Sequence, residues 1–217
     1  MRLAVFDLDG TITRHDTGAP YGLGFLLRER LWRLPALLLV LPLALGYAVG
    51  LVDLGQLKTV FYRITMGGSH RKDVERWTAA FVDRLLRRHG LFPQALAAIQ
   101  AHAHAGDHLV LLSASMDLYV PAIGHALGFH EVICTGTRWN GERLDGALST
   151  PNRKGEEKAR CVTALLARYP GVQSVAYGNE AADLAHLKLV ARGVLVNGSA
   201  SARHRAAQEG ITCVDWR

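Results

Sequence analysis

The 217-residue sequence predicts an α/β protein: a doubly wound, mostly parallel sheet with an all-helical insertion near its start. Three observations predict it. Short apolar runs recur along the chain, each ending abruptly in a polar turn. Segments of helical spacing lie between those runs. From about residue 14 to 90 the alternation stops, and the chain becomes Leu-rich and helix-like throughout.

The first run, Leu3 to Phe6, stops at Asp7-Leu8-Asp9-Gly10-Thr11. It has no polar alternation, as expected of a strand buried on both faces. His108 to Leu112 repeats the pattern and ends in Ser113-Ala114-Ser115. Ser174 to Tyr177 ends in Gly178-Asn179-Glu180, and Gly193 to Val196 ends in Asn197. Residues 94–105, 156–168 and 183–191 carry apolar side chains at helical spacing. Asn140-Gly141 marks a tight hairpin turn. Residues 1–13 and 91–217 therefore form the expected core, with 14–90 inserted as a helical module. Ligand sites in open α/β sheets form beyond the carboxyl ends of the strands, which would gather Asp7, Ser113 and Asn179.

Hydrophobic residues make up 49% of the chain and charged residues 20%, which excludes wholesale disorder. The net charge of +6 suits an anionic ligand. The cations are scattered and no aromatic-interleaved basic motif occurs, so a nucleic acid is not the expected partner. Cys134, Cys161 and Cys213 are odd in number and lack CxxC spacing, which argues against a disulfide framework or structural zinc. The first apolar run is too short for a signal peptide, and a cytoplasmic location is expected.

Asp7 and Asp9 stand two apart behind a strand, so their side chains point the same way. Phosphoryl transfer needs an in-line nucleophile, a proton donor for the leaving oxygen and cations on the equatorial oxygens. One carboxylate can attack phosphorus while the other protonates the departing alkoxide and later activates water. A lone DxD also serves glycosyltransferases as a metal-nucleotide site, so other elements must decide. Ser113 offers a hydroxyl at a strand end, with Ser115 as competitor. Lys158, near a helix start, can reach back to neutralise the cluster, with Lys154 as its rival. Asn179 and Asp183 supply hard oxygen donors for Mg²⁺, although Asp183 also fits a helix cap.

FDLDGT at 6–11, LLSAS at 111–115, GEEK at 155–158 and YGNEAAD at 177–183 together resemble the haloacid dehalogenase superfamily. The resemblance is to its subfamily IB, the phosphoserine-phosphatase-like enzymes, with a Rossmannoid core and a C1-type helical cap. It implies a phosphatase that hydrolyses a small phosphorylated metabolite, with Asp7 as nucleophile and Asp9 as general acid/base. Ser113 and Lys158 would hold the phosphoryl group, and Gly10, Thr11 and Ala114 would line its pocket. Mg²⁺ would be bound by the Asp7 carboxylate, the Asp9 carbonyl and Asn179, with Asp183 as a ligand or its support. Two positions depart from the pattern. Asn179 replaces a common Asp, which removes a negative charge and predicts weaker metal affinity. Gly10 stands where serine-phosphate enzymes tend to carry Ser, which argues against phosphoserine itself. Asp16 falls where those enzymes receive the substrate amine, and is either a specificity residue or an exposed hinge acid.

Leu34 to Val52 runs for 19 residues without a charge. That length suits a membrane span, but a single crossing would place Asp7 and Ser113 on opposite sides of a bilayer. Pro35, Pro42, Gly46 and Gly50 also disfavour one straight helix. The expected form is two short helices packed inside the cap. The alternative is a hairpin dipping into one leaflet, with Arg28, Arg30 and Arg33 near anionic headgroups. That form would suit a lipid phosphate such as phosphatidylglycerophosphate, an activity some members of the resembled branch have. A self-association face, and hence a homo-oligomer, is the remaining use of such a stretch. His102 and His104 lie two apart on a helix and do not share a face, so with His108 they make no expected metal site.

Overall fold

The computed structural model describes residues 1–87 and 90–216. Its core is a six-stranded parallel sheet. The strands are β1 (Leu3–Phe6), β2 (His108–Met116), β3 (Glu131–Thr135), β6 (Ser174–Gly178), β7 (Arg192–Val196) and β8 (Thr212–Val214). They lie in the order β3-β2-β1-β6-β7-β8, with a separate antiparallel hairpin, β4 (Thr137–Asn140) and β5 (Arg143–Leu148). The winding reverses direction at β1, the point at which such sheets open a crevice.

β1 shows why the sheet is apolar throughout. Ala4 and Phe6 enter one buried cluster with α5 (Pro93–His104) and α6 (Val120–Ala126). Leu3 and Val5 enter the other, with α7 (Glu156–Arg168), α8 (Leu184–Leu187) and α9 (Ala200–Gln208). Both faces of the strand are covered, so neither can carry polar side chains. Pro93 sits at the first turn of α5, and Ser199 caps α9 by accepting from the Ala202 N–H.

Between β1 and β2 the chain forms α1 (Gly18–Glu29), a 3-10 helix (Leu31–Leu39), α2 (Val40–Ala48), α3 (Leu54–Thr65) and α4 (Arg71–Arg87). It leaves and re-enters the core side by side. Thr13 bridges Leu91, the Arg14 N–H donates to Gly90 O at 2.8 Å, and the Phe92 N–H donates to Ile12 O at 2.9 Å. The insertion is also stitched to the hairpin. Gly68 N–H donates to Leu144 O, Leu144 N–H to Ser69 O, and Arg63 pairs with Asp145 at 3.0 Å. Gly146, at φ +89°, lets β5 approach α3 so closely that a β-carbon there would fall 2.9 Å from the Arg63 nitrogen.

Three expectations are corrected. β2 does not stop at Leu112 but continues to Met116, with a register shift against β3 that carries Ser113 and Ser115 within the strand. The helix expected over 183–191 is a 3-10 turn (Ala181–Asp183) followed by the four-residue α8. The apolar stretch does form two short helices, a 3-10 helix that contains Pro35 followed directly by α2, but it is not packed inside the insertion: neither helix contains a buried residue. His102 instead bonds Asp107 at 2.7 Å and the Tyr177 hydroxyl at 3.0 Å, while His108 stacks on His130. Among the described residues no group of three or more His, Cys, Asp or Glu converges on a metal position.

Candidate active site

Asp7 follows β1 directly, and its amide continues the sheet by donating to Tyr177 O at 2.9 Å. Asp7 is 5% exposed. Lys158, on the first turn of α7 and buried, donates to Asp7 Oδ1 at 2.6 Å and to Asp183 Oδ1 at 2.8 Å. The other Asp183 oxygen, Oδ2, accepts the main-chain N–H groups of Asn179 and Glu180, each at 3.0 Å. Asp183 is thus a brace between the β6 loop and the lysine. Thr11, also buried, donates to Asp7 Oδ2 at 3.2 Å. Lys154, the rival cation, pairs instead with Glu180 at 2.7 Å.

Burial would discharge Lys158, but the two carboxylates overcome it and hold the ammonium above its ordinary range. Burial likewise opposes ionisation of Asp183, and Lys158 pulls it down to about 2. Burial wins at Asp7, which is pushed up to about 7 against the pull of the same lysine. One ammonium cannot fully compensate two buried acids, and Asp7 carries the shortfall.

Asp9 faces the insertion. Its Oδ1 accepts the Thr17 N–H at 2.8 Å and the Thr17 hydroxyl at 2.7 Å, and its Oδ2 accepts from the Ser115 hydroxyl at 2.5 Å. Thr17 also meets the Tyr119 hydroxyl at 3.0 Å. Burial pushes the Asp9 carboxyl up, aided by Asp16, while Ser115 and Thr17 oppose the rise. Ser113 is buried, and its Oγ accepts the Ser115 N–H at 3.0 Å. Of the two serines, Ser115 holds Asp9, while Ser113 lines the cavity that Asp7 also lines.

Asp7, Asp9, Ser113, Ala114, Lys158, Asn179 and Asp183 all line one cavity of about 370 Å³. Gly10 and Thr11 follow Asp9 in the same loop, and Gly10 takes φ +77°. Asp16 also lines the cavity, but its Oδ1 accepts the Gly18 and Ala19 N–H groups at 2.9 and 3.3 Å and so caps α1.

Sequence reasoning missed Lys58. It reaches in from α3 and donates to Ala114 O and to Asn152 Oδ1, each at 2.8 Å. Burial drops its pKa to about 8 against the attraction of Asp9 and Asp16. The signal was present: Leu54, Leu57, Phe61 and Thr65 form the apolar face of α3, and Lys58 stands on that same face. One side of the cavity wall is apolar, with Val40, Ala44 and Tyr47 from α2 and Leu54, Leu57 and Phe61 from α3, while Lys154 and Glu180 also line it.

The donor set fits a hard divalent cation. Asp7, Asn179 and the Asp9 carbonyl supply oxygen only, the chemistry Mg²⁺ requires. The described cavity lining carries the acids Asp7, Asp9, Asp16, Glu180 and Asp183 against Lys58, Lys154 and Lys158, so acidic groups outnumber cations there.

A family model described as haloacid dehalogenase-like hydrolase matches residues 4–188. No curated protein sequence matches the chain. Among solved structures, a protein of unknown function from Bordetella pertussis Tohama I is 25% identical with a TM-score of 0.84, covering 100% of this chain and 99% of its own. A HAD family hydrolase from Salmonella enterica serovar Typhi is 15% identical with a TM-score of 0.73, covering 99% of this chain and 68% of its own. A phospho-aspartyl intermediate analogue of phosphoserine phosphatase is 15% identical with a TM-score of 0.66, covering 98% and 92%.

Proposed function

The chain belongs to the haloacid dehalogenase-like hydrolases, and from that premise we propose that it is a Mg²⁺-dependent phosphomonoesterase acting through an aspartyl-phosphate on Asp7. The observation that carries the reading is the buried triad in which Lys158 bridges Asp7 and Asp183 at 2.6 and 2.8 Å. A buried carboxylate held by a fixed ammonium is a poised nucleophile with its counter-charge already in place.

Asp7 Oδ attacks phosphorus as the bond to the leaving oxygen breaks, and Asp9 delivers its proton to that oxygen. Water then attacks the aspartyl-phosphate, Asp9 takes a proton from it, and the bond between phosphorus and Asp7 breaks to release phosphate. The raised Asp9 pKa suits a group that must arrive protonated. Ser113 and Lys158 orient the phosphoryl oxygens, with Gly10, Thr11 and Ala114 around them. Asp7, the Asp9 carbonyl and Asn179 would hold Mg²⁺, which when bound supplies positive charge for the phosphoryl oxygens. Asp183 positions Lys158 and the Asn179 loop. The phosphoserine phosphatase analogue named above is a phospho-aspartyl species on the same fold.

Residues 14–90 act as the cap in this reading, supported by the paired connectors at Thr13 and Leu91. The substrate is a small phosphorylated metabolite. The apolar half of the cavity favours a second reading, in which the same site takes a lipid phosphate at a membrane surface. The test is hydrolysis of an aryl phosphate with Mg²⁺: Asp7→Asn abolishes it, and wild-type turnover by that variant would exclude the nucleophile.

A further inference from the structure

The exposed apolar surface is concentrated on one segment. From Leu31 to Ala48 the mean hydropathy is 1.6 with none of the segment buried. Trp32 is 74% exposed, Leu45 68% and Leu51 83%, and Leu38, Leu39 and Leu41 stand out beside them. Leaving each such side chain in water forgoes stabilisation that burial would bring, and contiguous patches of this kind mark interaction faces.

The segment cannot cross a bilayer, because both its ends return to the insertion. Arg30 and Arg33 donate to Gly67 O at 3.0 and 2.7 Å, tying its start to the end of α3. Asp53 immediately caps α3 at its far end by accepting the Gln56 N–H at 2.9 Å. What remains is a face that can only lie on a surface.

Two features select the surface. From Leu31 to Val52 the only charged residue is Arg33, whose guanidinium stacks 4.8 Å over the Trp32 ring, and Arg28 and Arg30 precede it. Cations and an indole at the rim of an apolar face match an anionic headgroup layer above hydrocarbon. The second feature is that α2 is a wall one helix thick. Val40, Ala44 and Tyr47 line the catalytic cavity, while Leu41 and Leu45, turned about 100° round the helix from Val40 and Ala44, are exposed. An occupant of the outer face is therefore separated from the reacting groups by a single apolar helix. A protein partner would leave the apolar cavity wall without a purpose, whereas a lipid accounts for both sides.

We propose that the face formed by the Leu31–Leu39 helix and α2 seats this protein on an anionic phospholipid bilayer. From there the cavity receives a phosphate monoester carrying a long apolar tail. The lipid half rests on the second reading above; the seating does not.

The test uses the purified full chain in flotation with phosphatidylcholine vesicles, with and without phosphatidylglycerol. The wild type floats with the anionic vesicles, and about tenfold less without phosphatidylglycerol or in high salt. Leu41→Asp/Leu45→Asp stays at the bottom while hydrolysing p-nitrophenyl phosphate at the wild-type rate. If that pair fails to fold, Leu38→Asp serves the same purpose on the 3-10 helix. Wild type that stays at the bottom with both vesicles, or variants that float as well as wild type, would overturn the seating. So would a wild-type dimer that ignores vesicles and is split by Leu41→Asp/Leu45→Asp, since the occupant is then a second copy. For the substrate, phosphatidic acid in those vesicles is expected to exceed glycerol phosphate in kcat/KM by at least about tenfold, and the reverse order overturns the lipid half. Aryl phosphate turnover without flotation sinks the seating alone, and flotation with all phosphates inert sinks the phosphatase reading alone.

Discussion

The side-chain amide of Asn179 fills the space a β-carbon on Gly10 would occupy, with Nδ2 only 2.0 Å from that position. The two departures from the family pattern are therefore one contact. Gly10 also takes φ +77°, which L side chains resist. Gly10→Ala is expected to cost about 1–3 kcal/mol in urea unfolding and about 100-fold in turnover, because the loop carrying both aspartates must move. Full activity in that variant would show that the Asp7–Asp9 loop tolerates displacement.

Restoring a carboxylate at the metal loop should strengthen cation binding. Asn179→Asp adds a negative charge to a hard oxygen donor set, and Mg²⁺ is expected to bind about tenfold more tightly. Calorimetric titration with Mg²⁺ measures this without reference to turnover, and an unchanged affinity would remove Asn179 from the donor set.

Removing the shared cation should be costly twice over. Lys158→Met leaves Asp7 and Asp183 buried without their ammonium. Breaking a buried pair this way typically costs about 3–5 kcal/mol near neutral pH. Chemical denaturation at pH 7 and pH 5 checks the sign. The variant regains stability at the lower pH, where the abandoned carboxylates, now raised in pKa, take up protons in the folded state.

Lys58 gives a pH limb of its own. With its pKa lowered to about 8, it carries charge at neutral pH and loses it as pH rises through that value. For an anionic substrate kcat/KM should fall above pH 8. Lys58→Met should flatten that limb and lower kcat/KM about tenfold at pH 7. A limb that persists unchanged in the variant belongs to another group.

Ser115 holds Asp9 through its hydroxyl at 2.5 Å and so restrains the upward pressure of burial on that acid. In Ser115→Ala the Asp9 carboxyl should rise further. The basic limb that Asp9 sets on kcat/KM then moves to higher pH, since Asp9 must arrive protonated to deliver its proton to the leaving oxygen. A profile that only drops in height, without moving, would mean Ser115 merely packs there.

Much of this was legible before any coordinates. β1, β6 and β7 announce themselves because a strand covered on both faces admits only apolar residues, and the catalytic loops begin where that rule stops applying. The rule also explains the error at β2, where the strand continues through Ser113 and Ser115 as it enters the polar site. Edge strands β3 and β8 were not read, because partial exposure leaves them mixed in composition. Lys58 escaped because it acts across 56 residues to reach Ala114, and no spacing rule spans such a distance. The exposure of α2 was equally hidden. An apolar run looks the same whether a core or an outside surface awaits it.

The bridge between Thr13 and Leu91 bears on how the chain reaches its native state. Pairing β1 with β2 brings together residues as far apart as Arg2 and Asp107, separated by 105 positions. Helices α1 to α4 form from local contacts, and once they have drawn Thr13 to Leu91 the loop still to be closed shrinks to about thirty residues. That lowers the entropic cost of sheet closure by about 1 kcal/mol. The insertion then becomes the earliest structured part of the chain, and the sheet that carries the chemistry is assembled on ends it has already brought together.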